Sequence, residues 1–322
     1  MPLDPPKHRR VIPFLIIVVT LAAAAPQSAD ELAAAARAEL RSGDTDRALD
    51  LANEAVKTDP NGTSGYMVRA EVHDVRREIE KAVADYDRVI AHRADFAPAR
   101  YGRATSLFRL GRFKESVADF DRLVELDPAR EPHLWERGIA LYYAGEFERG
   151  ARQFDVHRAV NPDDVENAAW HYLCVARASG VEAARRLLIP VSRDGRVPMM
   201  KVHDLYAGKA TPSDVLSLAE AEGGSAVPEG ERKRRLFYAH LYVGLHYDAA
   251  GETEEAAKHI DSAAGKYADN NYMGDVARVH ARVLADRRKG RAKEIKKTRR
   301  PLLKEGGTFN GDRGTPGFTV TR

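Results

Sequence analysis

The chain has 322 residues, 43% hydrophobic and 31% charged, with a formal net charge of +3 and a single cysteine, Cys174, so that no internal disulfide is available. The small net charge hides a division: between Arg287 and Arg300, nine Lys and Arg residues stand against Glu294 alone, which leaves the rest of the chain acidic. A phosphate loop, a Gly-x-Ser-x-Gly elbow and a His-Glu-x-x-His helix are all missing, which removes the commonest short signatures of an enzyme.

At the start, Lys7, Arg9 and Arg10 precede an apolar run from Val11 to Ala25 that closes on small residues and Pro26. This order predicts a secretory signal peptide over residues 1–25, cleaved near Ala24. The run is shorter than the roughly 20 residues of a spanning helix, and an uncleaved anchor is the alternative. Either reading places the remainder in the periplasm or outside the cell. A lipobox cysteine after the run is absent, so that route of lipidation is excluded.

From Gly43 to Pro162 the same residues return every 34 positions. Gly43, Gly111 and Gly145 form one column, and Ala48, Ala82, Ser116 and Gly150 a column of small residues. Tyr86, Phe120 and Phe154 form an aromatic column, while Pro60, Pro128 and Pro162 close their units, with Ala94 in the same slot. Each column has a task in a helix-turn-helix unit. Glycine accepts the left-handed conformation that ends the first helix. The small residue lets the second helix approach, the aromatic ring fills the gap, and proline stops the second helix.

This spacing and residue order resemble the tetratricopeptide repeat, TPR. The resemblance implies an all-α, right-handed superhelical solenoid with four units over residues 29–164. Because each unit packs only on its neighbours, the length counts as one solenoid rather than two domains.

Residues 165–236 read as a degenerate or interrupted stretch. Glu166 to Gly180 suits a first helix, but its partner helix runs into Pro190, Gly195 and Pro198. A further unit over 237–286 is predicted from Gly244, Tyr247, Gly251, Ala256 and Ala263, with helices over 237–251 and 252–266 and a capping helix over 275–284. The basic, Gly-rich tail 287–322 is predicted to be disordered. Its charge run is either a solvated extension or an attractor for an anionic surface or polymer. No specific nucleic-acid partner is indicated.

In a TPR superhelix the first helix of each unit lines the concave groove, so the resemblance implies which residues face inward. They are Tyr101, Thr105, Phe108 and Arg109 in the third unit, Trp135, Ile139, Tyr142 and Tyr143 in the fourth, and Trp170 and Cys174 in the fifth. Such an aromatic stripe suits a protein or peptide partner, with Arg109 as an anion contact; core filling is the alternative. The Lys and Asn of the clamp that grips C-terminal carboxylates are missing, since Met67, Glu71, Tyr101, Thr105 and Trp135 hold those places. His171 and Cys174 lie three apart, and with His157 they form the one candidate set for a metal or thiol site. A buried cysteine and a hydrogen-bonded structural histidine are the competing reading.

Trp170-His171-Tyr172-Leu173, Leu205-Tyr206-Ala207-Gly208 and a late repeat opening Phe237-Tyr238 extend the likeness over most of Ala29 to Leu284. In this layout the chain is similar to the NlpI-like bacterial TPR lipoproteins, apart from the missing lipobox cysteine. That resemblance implies an envelope adaptor that brings cell-wall hydrolases or a protease to their targets, often as a homodimer. The expectation is an exported, non-catalytic scaffold without a cofactor. The alternatives are a metal- or thiol-dependent enzyme using His171 and Cys174, or an anionic-surface binder working through the tail.

Overall fold

At Gly43, Gly111 and Gly145 the backbone turns left-handed, with φ of +91°, +79° and +83°, and there the first helix of each unit ends. The structure is a computed structural model and describes residues 28–221 and 227–299. The expected signal peptide over 1–25 and the tail from residue 300 onward lie outside the described residues. Among the described residues there is no strand, and no helix is long and apolar enough to cross a membrane.

Four helical hairpins succeed one another: α1 (Ala29–Ser42) with α2 (Thr45–Thr58), α3 (Ser64–Val75) with α4 (Ile79–His92), α5 (Ala97–Arg109) with α6 (Phe113–Leu126), and α7 (Trp135–Ala144) with α8 (Phe147–His157). The columns read from sequence form the contacts inside and between these hairpins. Ala48, Ala82 and Ser116 are fully buried, and Ser116 Oγ donates to the Ala104 carbonyl at 2.8 Å. Tyr86, Phe120 and Phe154 fill the core beside them. In the second unit the glycine slot is held by Arg77, whose φ of +60° keeps the same left-handed turn with a side chain that disfavours it.

The array continues with α9 (Val165–Ser179), as the sequence predicts. Its partner α10 (Val181–Arg186) is short, and the segment with Pro190, Gly195 and Pro198 leads to α11 (Met199–Tyr206) and α12 (Pro212–Glu220). Regular pairing resumes with α13 (Glu229–Ala249) and α14 (Thr253–Ala264), joined at Gly251 with φ +83°. Here α13 starts at Glu229 rather than near residue 237.

The last helix, α15 (Tyr272–Arg299), corrects two expectations. Residues 287–299, expected as disordered tail, are helical, with Arg287 Nη1 2.7 Å from Asp248 Oδ1 and Arg288 Nη2 2.9 Å from Glu254 Oε2. Beyond capping α14, this helix also lies across the inner side of α5 and α7. Tyr272 reaches Phe108 and Trp135, and His280 reaches Tyr143.

Candidate functional site

The inner face of α5, α7 and α9 carries the aromatic stripe, and α15 covers its α5 and α7 part. Tyr272 stacks on Phe108 with ring centroids 5.4 Å apart and meets Trp135 edge to face at 5.1 Å. Tyr143 shares a hydrogen bond with His280 Nδ1 at 2.9 Å. Behind them Tyr142 packs edge to face on Trp170. Phe108, Ile139, Tyr142 and Trp170 are all buried. The rings therefore stand where the repeat register puts them, but as an internal interface rather than an open groove.

Arg109 is likewise engaged inside the chain. Its Nη1 donates to Asp74 Oδ1 at 2.9 Å, and its Nε lies 2.8 Å from Asp275 Oδ2. Asp275 is buried and also pairs with Arg77 and Arg278. Burial alone would push its carboxyl up; Arg77, Arg278 and Arg109 together hold it below the usual range. Of the expected groove residues, Tyr101 remains exposed, at 39%, and its hydroxyl donates to Glu136 Oε1 at 2.7 Å. Val75, on the inner side of α3, is more exposed still, at 59%.

His157, His171 and Cys174 are not brought together. His157 Nδ1 lies 2.7 Å from the Pro132 carbonyl, and His171 Nε2 lies 3.6 Å from Asp155 Oδ1. Cys174 is fully buried against Gly150, where an added Cβ would come within 2.7 Å of Sγ, and burial pushes its thiol up. Among the described residues no three His, Cys, Asp or Glu side chains gather as a metal site would require.

One cavity opens between the first helices and the end of the molecule. It has a volume of about 300 Å³ and is walled by Trp135 and Trp170 from α7 and α9, Tyr238 from α13 and Tyr272 from α15, with Asp164 and Glu166 at its edge. Glu166 Oε2 accepts from the Tyr242 hydroxyl at 2.7 Å, and its other oxygen pairs with Arg196. Burial pushes the Glu166 carboxyl up against the opposing pull of Arg196 and Tyr242.

The family description "Tetratricopeptide repeat" matches residues 33–98 and 68–131, the stretch that holds the first hairpins. The chain carries tetratricopeptide repeats. Among solved structures it is similar to a TPR protein from Parabacteroides merdae ATCC 43184, at 16% identity over 80% of this chain and 99% of that one, with a TM-score of 0.54. Weaker likenesses are to Pseudomonas aeruginosa pilF, at 14% identity over 72% and 88% with a TM-score of 0.43, and to the type IV pilus biogenesis factor PilW, at 19% over 76% and 97% with a TM-score of 0.42. None of the curated proteins matches the chain in sequence.

The TPR register also exposes a column that the reading of small and aromatic residues passed over. Arg69, Arg103 and Arg137 recur at the repeat spacing, and each ties its own second helix to the preceding one. Arg103 donates from Nε and Nη2 to Asp119 at 2.7 and 2.8 Å and from Nη1 to Asp87 at 2.6 Å. Arg69 does the same with Asp85 and Asn53, and Arg137 with Gln153 and Asp121. His171 is the next member of this column and Asp155 the next member of the Asn53, Asp87 and Asp121 column. His171 faces Asp155 at 3.6 Å, so the column keeps its place there but not the staple's hydrogen bonds.

Proposed function

We propose that the protein is a non-catalytic TPR scaffold of the bacterial cell envelope, holding a protein or peptide partner on the part of the concave face that α15 leaves open. The observation that carries this reading is the unequal covering of that face. Helix α15 closes it over α5 and α7, while Val75 and Tyr101 stay exposed on the inner side of the second and third units. TPR units present their inner helices to partners, and Val75 and Tyr101 leave apolar surface exposed on that face. A basic lead followed by an apolar run, together with the likeness to NlpI-like adaptors, supports an exported location.

The test is affinity capture from the envelope fraction with the wild-type chain beside a Val75→Asp/Tyr101→Asp variant of matched thermal stability. A partner retained by the wild type and lost by the variant supports the reading. An identical captured set from both baits contradicts it. Replacing Tyr142 would not serve, because that ring is buried in the core.

A further inference from the structure

Both tryptophans of the chain wall the same cavity. Trp135 and Tyr272 meet with planes 85° apart, and Trp170 and Tyr238 supply further wall. The volume of about 300 Å³ is at the small end of ligand sites and suits a head group rather than an extended molecule.

The charge around this box is unbalanced. Among the described residues neither Lys nor Arg lines it, whereas Asp164 and Glu166 do. Their basic partner, Arg196, also pairs with Asp194, so three carboxylates share one guanidinium. Next to Trp135 in sequence, Glu136 is buried at 7% exposure, its Oε1 accepts from Tyr101, and its Oε2 has no hydrogen-bond partner among the described residues. Asn167, another wall residue, is buried with its Oδ1 unpartnered. Aromatic faces attract cations through their quadrupole, most strongly where water is excluded, and carboxylates that outnumber their guanidinium partner add to that field.

We propose that this cavity binds an alkylammonium group, held against the rings of Trp135, Trp170, Tyr238 and Tyr272 and balanced by Asp164 and Glu166. The group is the head of a free quaternary amine or the end of a lysine side chain. The site depends on the cavity alone, so it stands or falls separately from the docking surface at Val75 and Tyr101.

Because both tryptophans line the cavity, intrinsic fluorescence of the full chain reads its occupancy directly. Tetramethylammonium, choline and N-acetyl-lysine methylamide are titrated separately, with the uncharged carbon isostere of choline and sodium chloride as controls. The expected result is a saturable change of tryptophan emission with a cation and none with the controls. Saturation by the quaternary amines identifies a free cation as ligand, and saturation by the lysine amide identifies a side chain. Tyr238→Leu is expected to weaken binding about tenfold. Asp164→Asn, which keeps the cap on α9 while removing a charge, is expected to weaken it severalfold. No saturable response to any of the three cations up to roughly 10 mM, or an equal response to the uncharged isostere, overturns the proposal.

Discussion

The ring of Tyr272 lies on the ring of Phe108 with centroids 5.4 Å apart and planes 20° from parallel, joining the first turn of the last helix to the inner face of the third repeat. Residues far apart in the chain thereby close the superhelix on itself. Asp275 anchors the same turn through Arg77 and Arg109, one from each of the second and third units. An inner surface that the repeat pattern alone would offer to a partner is in this protein largely an intramolecular interface.

Replacing Tyr272 by Ala removes a large aromatic side chain packed on two others, and the expected loss is about 3 kcal/mol. The contact with Phe108 is isolated by a double-mutant cycle with Phe108→Leu, whose coupling energy should be about 1 kcal/mol. Urea unfolding followed by far-UV circular dichroism measures both. A coupling of zero would mean that the two rings do not meet.

His280 supplies a pH dependence. It is fully buried on α15, and burial pulls its pKa down to about 4, with Arg287 and Arg177 acting in the same direction and Asp248 opposing them. An unfolded histidine titrates near 6.5, so between these values the unfolded chain binds the additional proton. The stability contributed by neutral His280 is present above about pH 6.5 and is lost as the pH falls towards 4. A His280→Gln variant should lose less stability over that window than the wild type. His240 and His246 are also lowered to about 4, chiefly by burial, so part of the decline should remain. Parallel stability curves for variant and wild type would contradict this assignment.

The arginine staple predicts a repeat-specific cost. Asp119 is buried at 2% exposure, and Arg103 grips both of its oxygens. Removing Arg103 leaves that carboxylate with Arg100 alone, at 2.9 Å. Arg103→Ala should destabilise the array by about 2 kcal/mol, in keeping with the loss of a partly buried charge-assisted pair. Arg122→Ala, which removes two exposed pairs, should cost clearly less. Chemical denaturation of the two variants checks the contrast.

The repeat spacing made the first nine helices legible, because small, aromatic and glycine columns each answer a local packing need that recurs at a fixed distance. The rings of the stripe were legible in position but not in occupant. What covers them depends on α15, whose apolar residues Met273, Val276 and Val279 look in isolation like any capping helix. The arginine column was present at the same spacing, but its partners sit on neighbouring helices and show no local signature. For the same reason His171 looked like a ligand candidate until Asp155 stood opposite it. The break after α9 was legible from its prolines, whereas the course of α11 and α12 rests on tertiary packing that no period announces.

Arg77 holds a turn that the other units give to glycine. With φ at +60° the side chain carries backbone strain of about 1 kcal/mol relative to glycine, while its guanidinium pairs with Asp275. Arg77→Ala keeps the strain and loses the pair; Arg77→Gly loses both. The glycine variant should therefore be about 1 kcal/mol more stable than the alanine variant. Thermal unfolding of the two side by side decides it, and an alanine variant as stable as the glycine one would show that the turn is not left-handed.

The most direct test of the closed concave face is amide hydrogen exchange along α15 in the full chain, read by mass spectrometry. If the helix is docked through Tyr272, Asp275, Val279 and His280, amides from Val276 to Leu284 should exchange as slowly as those in the core of α9. Exchange there at the rate of a solvent-exposed helix, with α9 still protected, would show that α15 stands free and that the aromatic face is open.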